Sequence, residues 1–300
     1  MGPQGSKRQM KEKILILLVC VGILALAIYA DSVNVPEKWT ARFHPEKTHT
    51  EDRVRVLIVP GHEPDSEGAV YLDRKERDLV VVIAKKLADL LSEDERVEVL
   101  VVRNENDFNQ PLREYFDTHA DEIRAWQSDM KESYKSIVEK GIIEDVKEIE
   151  HNNASADASL HLHGINKWSN ENNVDLVVHL HVNDDVRKNR KKPGKYSGFS
   201  LYVPEKQFDN AEESMRLAEH MKVALSENFG TSTLKVEEKT IIESQDLIAV
   251  GKYNSLKVPA TLIEYGYIYE PMFEKEIFER ETAALMAEKT YRAIETYLFP

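Results

Sequence analysis

The chain has a single cysteine, Cys20, so no disulfide can form within it, and cysteine pairing says nothing about its compartment. An excess of positive charge is also missing. Lys and Arg number 40 against 53 Asp and Glu, a net charge of −13, which is the wrong sign for gripping a phosphate backbone. A nucleic-acid partner is therefore not expected. No internal repeat is visible, and only one stretch is both long and free of charge. What is present is 300 residues, enough for one large domain or two modest ones, and 42% hydrophobic residues, enough for a substantial core.

The uncharged stretch is Ile14 to Ala30, 17 mostly aliphatic residues behind a basic tail at residues 1–13. Its length is the lower limit for spanning a bilayer and slightly long for a signal-peptide core. The basic flank predicts that the tail stays in the cytoplasm and that everything after Asp31 is exported. Ile28 and Ala30 make a mediocre cleavage site. The reading is thus a single-pass transmembrane anchor in the cell membrane, with secretion the outcome if the segment is cleaved. Val19 is too large for a lipoprotein box at Cys20. Residues 31–52 are polar, carry Pro36 and Pro45, and read as a linker.

A domain at 53–300 follows. Val54 to Val59 predicts a strand buried on both faces, stopped by Pro60-Gly61. Leu79, Ile83, Leu87 and Leu90 or Leu91 form the stripe of a helix over Lys75–Ser92. Val97 to Arg103 predicts the next strand, and strand–helix–strand implies a right-handed crossover in a parallel sheet. Residues 104 to about 158 break this rhythm and read as two charged helices inserted into the fold. Leu160 to Asn172 predicts a short helix. Strands are expected at Leu176–Val182, Gly198–Val203, Leu247–Val250 and Ala260–Glu264, with helices at Ala211–Asn228 and Phe278–Leu298. The expected class is α/β: an open, mostly parallel twisted sheet flanked by helices, with a helical insertion and the N-terminal transmembrane segment.

Four residues could meet at one sheet edge. His62 ends the first strand, where open α/β folds build their sites. Glu76 opens the next helix, from which its carboxylate can come back over that strand end. His181 lies near the end of Leu176–Val182, and alternation puts Val177, His179 and His181 on one face. Two imidazoles and a carboxylate make a common catalytic zinc set with one position open. Glu264 closes a short apolar strand, where an acid is costly unless paired or used. Beside a metal-activated water it can serve as acid and base.

These stretches resemble the zinc-dependent N-acetylmuramoyl-L-alanine amidases of bacterial cell-wall turnover, the type 3 amidase domain. Pro60-Gly61-His62 matches that family's Pro-Gly-His, and Glu76 its ligand glutamate opening a helix. Val102-Arg103 stands for its Thr-Arg. Asp175 to Asn183 matches Asp-Leu-x-x-Ser-x-His-x-Asn, with His179 where serine is usual. Pro259 to Tyr267 matches Pro-Ala-x-Leu-x-Glu-x-Gly-Phe. The resemblance runs from Val54 to the C-terminus, apart from the insertion. It implies a zinc ion held by His62, Glu76 and His181, Glu264 as catalytic acid/base, and peptidoglycan as substrate, cut between N-acetylmuramic acid and L-alanine. His179, Asn183 and Arg103 are the candidates for orienting ligands or holding substrate.

The chain also departs from the family. Glu63-Pro64 stand where two glycines are usual, and Lys235 to Ile242 has no Arg-Gly. The insertion falls where several relatives carry an extra helical segment over the site. As a lid it would imply an activating protein partner and a carboxylate such as Glu114, Asp117 or Glu122 at the open metal position. As a passive excursion it would leave the cleft open.

Blander readings stand beside these. Glu76 could be a helix-dipole charge, Glu63 a rival ligand, and His179 a core residue. His161 and His163, a second His-x-His, read as helix or loop residues, with a metal role the alternative. Arg187 to Lys192 reads as a solvated loop, with holding substrate carboxylates or an anionic glycan the alternative. The alternative functions are a zinc carboxypeptidase or other amidohydrolase on a related fold, with Arg103 the one nameable carboxylate anchor, and a non-catalytic cell-wall scaffolding protein.

Overall fold

The computed structural model describes residues 53–146 and 154–300. The expected tail, transmembrane segment and linker lie outside the described residues, as does the stretch 147–153 of the insertion. Among the described residues no helix is long and apolar enough to cross a membrane.

Three early elements set the scaffold. Strand β1 (Val54–Pro60) has its last five residues buried, as expected of a strand covered on both faces. A two-stranded ribbon, β2 (Val70–Tyr71) and β3 (Arg74–Lys75), then leads directly into helix α1 (Glu76–Leu91). Leu79, Ile83, Leu87 and Leu91 are the buried stripe of α1. Each such side chain, fully buried, contributes roughly 1.5–3 kcal/mol, so this face and not local propensity holds the helix. Strand β4 (Val97–Val101) pairs parallel to β1.

The insertion differs from the expected pair of helices plus a short one. It is a single long helix, α2 (Gln110–Glu139), kinked at His119, followed by α3 (Ala156–Glu171), which starts before the expected Leu160. Asn109 caps α2 by accepting from Leu112 N, and Ser155 caps α3 by accepting from Ala158 N. Charged residues interrupt the apolar spacing of α2 around its kink, which makes one bent helix read as two.

The remaining elements are β5 (Leu176–Asn183), β6 (Ser200–Pro204), α4 (Ala211–Ser226), β7 (Ile241–Ser244), β8 (Ala260–Tyr267) and α5 (Ala283–Leu298). Strand order is β4-β1-β5-β8-β6-β7, parallel throughout except that β6 runs antiparallel to β8. The loop 184–199 stays at the edge where β5 ends, so β6 must run back from it. Leu247 to Val250, expected as a strand, holds a 3₁₀ turn at Ile248–Val250 instead. The edge strand of that region is β7, which four residues after a charged run did not announce. Short apolar runs carry no usable period, so either could have been the strand.

β1 has its sequence neighbour β4 on one side and β5 on the other. Right-handed crossovers then place α1 on one face and α2–α3 on the other. The chain reverses direction of travel between β1 and β5, and the crevice at the C-terminal ends of those two strands is where such sheets place ligands.

Candidate metal centre

His62, Glu76 and His181 meet at that crevice. Their nearest ligand atoms all lie within 4.8 Å of one another, and no other such group of three occurs among the described residues. Glu76 sits between the rings. His62 Nε2 is 2.7 Å from its Oε2, and His181 Nδ1 is 2.9 Å from its Oε1. The imidazoles stand edge-on, 5.4 Å apart at 66°. The Glu76 side chain is 4% exposed against 31% for His62, so the centre opens on the His62 side.

Local sequence explains the convergence. Gly61 is needed because a Cβ there would come within 2.4 Å of the His181 ring. Gly68 has φ +67, and a Cβ would reach 2.5 Å from His62 and 2.6 Å from Glu76 Oε2. The loop therefore folds over the carboxylate with no side chain in the way. Ala69 N donates to Glu76 Oε2 and Val182 N to Glu76 Oε1, so both oxygens are oriented by backbone. His62 itself has φ 63, in the left-handed region, which costs a non-glycine residue about 1–2 kcal/mol.

Burial alone would raise the Glu76 carboxyl, but the hydrogen bonds and charges of His181 and His62 outweigh it and hold the group ionised, far below the usual range. An ionised carboxylate with two imidazoles, fixed from behind by backbone donors, is a donor set that fits zinc. The dipole reading of Glu76 does not account for a side chain turned inward onto two histidines.

Glu264 is the register partner of His181 in the β5–β8 ladder. Its Oε2 is buried without a hydrogen-bond partner among the described residues. Burial first, then the negative charges of Glu76 and Glu237, push its pKa well above the ordinary value. Glu237 is a residue the sequence did not single out. It is 1% exposed and accepts from Tyr202 Oη at 2.7 Å, Tyr267 Oη at 3.2 Å and Asn183 Nδ2 at 3.2 Å. Nothing in the charged run LKVEEKT distinguishes it from its neighbours; only tertiary contact does.

The other candidates separate. Arg103 is 2% exposed and donates to the carbonyls of Gly61, His62, Arg77 and Asn104. It is a brace for the His62 loop, and burial lowers its pKa to about 10. As a carboxylate anchor it has little left to offer, since four of its five N–H donors go to backbone carbonyls. His179 is buried beneath the centre; burial, and then His181, push its pKa down to about 3, so the ring is neutral. Asn183 is held by Glu237. Glu63 is no rival ligand, since its carboxylate meets His161 Nδ1 instead. Arg187 is drawn out of the solvated run: it donates to Val70 O and lies 5.2 Å from both the Tyr71 and Tyr269 rings. Lys188, Arg190, Lys191 and Lys192 are exposed, as expected of that loop.

None of Glu114, Asp117 and Glu122 belongs to the metal group; all three are exposed, and Glu114 accepts from Gln110. The distal part of the insertion turns elsewhere. Tyr134 Oη and Val146 N both donate to Gln245, just past the end of β7. β7 runs opposite to β8, so that end lies at the sheet edge remote from Glu264.

A profile of the N-acetylmuramoyl-L-alanine amidase family matches residues 56–296. Similar solved structures include an N-acetylmuramoyl-L-alanine amidase from Clostridium difficile 630, 19% identical, with TM-score 0.53 over 82% of this chain and 97% of that one. The amidase AmiC2 of Nostoc punctiforme is 19% identical, with TM-score 0.51 over 82% and 98%. Ami1 from Mycobacterium smegmatis is 13% identical, with TM-score 0.53 over 82% and 96%. At these identities the likeness is one of fold. Among curated proteins no sequence matches.

Proposed function

The chain belongs to the N-acetylmuramoyl-L-alanine amidase family, and we propose that His62, Glu76 and His181 hold one zinc ion while Glu264 carries the proton. The reaction is hydrolysis, in peptidoglycan, of the amide between N-acetylmuramic acid and L-alanine. The observation that carries this assignment of roles is the buried, ionised Glu76 between two imidazoles, with a second carboxyl beside His181 in the sheet register.

When bound, zinc supplies Lewis-acid polarisation of the scissile carbonyl and a lowered pKa for water. The protein's own residues do the rest. His62 and His181 present ring nitrogens toward one point, and Glu76 offsets positive charge in a buried place. Glu264 takes the proton of the attacking water as its oxygen bonds to the carbonyl carbon. It delivers a proton to the alanine nitrogen as the C–N bond breaks, leaving a carboxylate and a free amine. Burial and the like charge of Glu76 favour the protonated form, the form that gives a proton to the leaving nitrogen. A carboxypeptidase would need a free cation for the substrate's terminal carboxylate, and Arg103 is not free.

Glu264→Gln should keep the metal and slow turnover about 10²- to 10⁴-fold, as expected when proton transfer is removed. The measurement is release of L-alanine amino termini from purified peptidoglycan, alongside zinc content. A variant that cuts at the wild-type rate would make Glu264 structural.

A cell-wall amidase acts outside the cytoplasm. We extend the proposal to Ile14–Ala30 as an uncleaved membrane anchor, on the strength of its length and basic flank. The full chain should sediment with membranes. An N-terminus beginning at Asp31 would show cleavage instead.

A further inference from the structure

The loop that carries His62 is pinned from two sides by parts of the chain remote in sequence. On one side Arg103 donates to Gly61 O and His62 O. On the other side the contact comes from the insertion. His161, on α3, meets the Glu63 carboxylate through Nδ1. Both side chains are mostly buried, 25% and 17% exposed. The His161 ring is itself oriented by aromatic neighbours. It lies 5.0 Å from Phe108, edge-on, and 4.6 Å from Phe116, on α2. Phe116 and Ile123 in turn close on Gly164 of α3, where a Cβ would come within 2.8 Å of the Phe116 ring. The two inserted helices therefore hold the imidazole in place before it reaches the loop.

The loop needs such restraint. His62 occupies the left-handed region at φ 63, a conformation that persists only where surroundings over-determine it. Glu63 O accepts from Ser66 N, and Pro64 O accepts from Arg77, so the turn after His62 is tied at successive residues.

We propose that the insertion is a clamp on the metal-binding loop, with His161 the positioning residue that acts through Glu63 to hold His62 at its ligating angle. This rests on the amidase reading of the site. The clamp assigns the insertion a part in building the centre, distinct from covering it and from passive excursion.

The test uses the full chain and zinc itself. Zinc affinity is read by competition with a chromophoric chelator, and turnover on peptidoglycan in parallel. His161→Phe keeps the aromatic packing against Phe108 and Phe116 and removes the hydrogen bond. It should weaken zinc binding about tenfold, the lower end for groups that orient ligands, and lower kcat with KM little changed. His161→Gln, which can still donate to Glu63, should recover most of both. Glu63→Ala reads the same contact from the loop and leaves the inserted helices' own packing intact. Its effect should match that of His161→Phe, and the double variant should be no worse than either. Wild-type zinc affinity in Glu63→Ala, or additive losses in the double variant, would overturn the clamp. Absence of stoichiometric zinc in the unaltered protein would instead overturn the amidase site on which it rests.

Discussion

Two His-x-His pairs stand on two kinds of backbone, and the difference decides what each can do. On β5, His179 and His181 share a face because successive strand residues alternate. On α3, His161 and His163 lie two positions apart on a helix, about 200° around its axis. The strand pair therefore forms a column, one imidazole at the rim of the sheet and one beneath it. The helix pair diverges. His161 reaches out to Glu63, while His163 turns inward, 1% exposed and edge-on to Trp126. Of the four, only His181, at the rim, joins a three-residue ligand group, with His62 and Glu76. Spacing in sequence is thus no guide to a ligand set until the backbone type is known.

The largest break in this comparison is substitution at the rim. His181→Ala should abolish stoichiometric zinc and reduce peptidoglycan hydrolysis to background, because a three-residue donor set cannot lose an imidazole and stay closed on three sides. His163→Ala should keep its zinc. Elemental analysis of both purified variants checks the pair, and zinc retained in His181→Ala would remove His181 from the centre.

The interior member of the helix pair gives a smaller effect that pH reveals. Burial, then the positive charges of Lys131 and Lys252, push the His163 pKa down to about 4. The ring is neutral in the folded protein, while the unfolded chain takes up its proton from about pH 6.5 downward. Its contribution to stability is full above that value and is lost as pH falls toward 4. At about 1.4 kcal/mol per unit, the swing is on the order of 2–3 kcal/mol. His163→Leu should therefore flatten the difference in unfolding free energy between pH 7 and pH 4.5, read by denaturant titration. An unchanged difference would mean that His163 titrates normally.

How far the sequence could be read follows the same division. Where side-chain period and strand ends coincide, as at His62 and His181, the position of each residue was legible from its neighbours, whereas the strand expected to close at Glu264 runs on to Tyr267. Glu76 was legible only through the wider pattern, since an acid in a first helical turn has an ordinary explanation. Contacts between elements distant in sequence were not legible. Glu237 sits in a charged run whose other charged members, Lys235, Glu238 and Lys239, face solvent, and the partnership of Glu63 with His161 spans the insertion. The exchange of Leu247–Val250 for Ile241–Ser244 as the edge strand has a related cause. Both runs are short, Ile241–Ser244 is only half apolar, and only the neighbour on β6 selects between them.

The smallest expected effect is at the lower member of the strand pair, and it sharpens the comparison most. His179 shares a face with His181 but lies one strand repeat away, about 6.6–6.8 Å along the backbone. That distance keeps its ring out of the ligand group. It is 1% exposed and neutral, so it acts as a core side chain that happens to be polar. Exchanging a buried polar group for an apolar one of similar size is close to neutral when no partner is stranded. His179→Leu should hold zinc at the wild-type stoichiometry, with unfolding free energy within about 1 kcal/mol of the parent. A loss of zinc approaching that of His181→Ala would show that the column works as a unit, with the lower imidazole orienting the upper one. A loss of stability without loss of zinc would assign His179 to packing and leave the rim position as the sole ligand of β5.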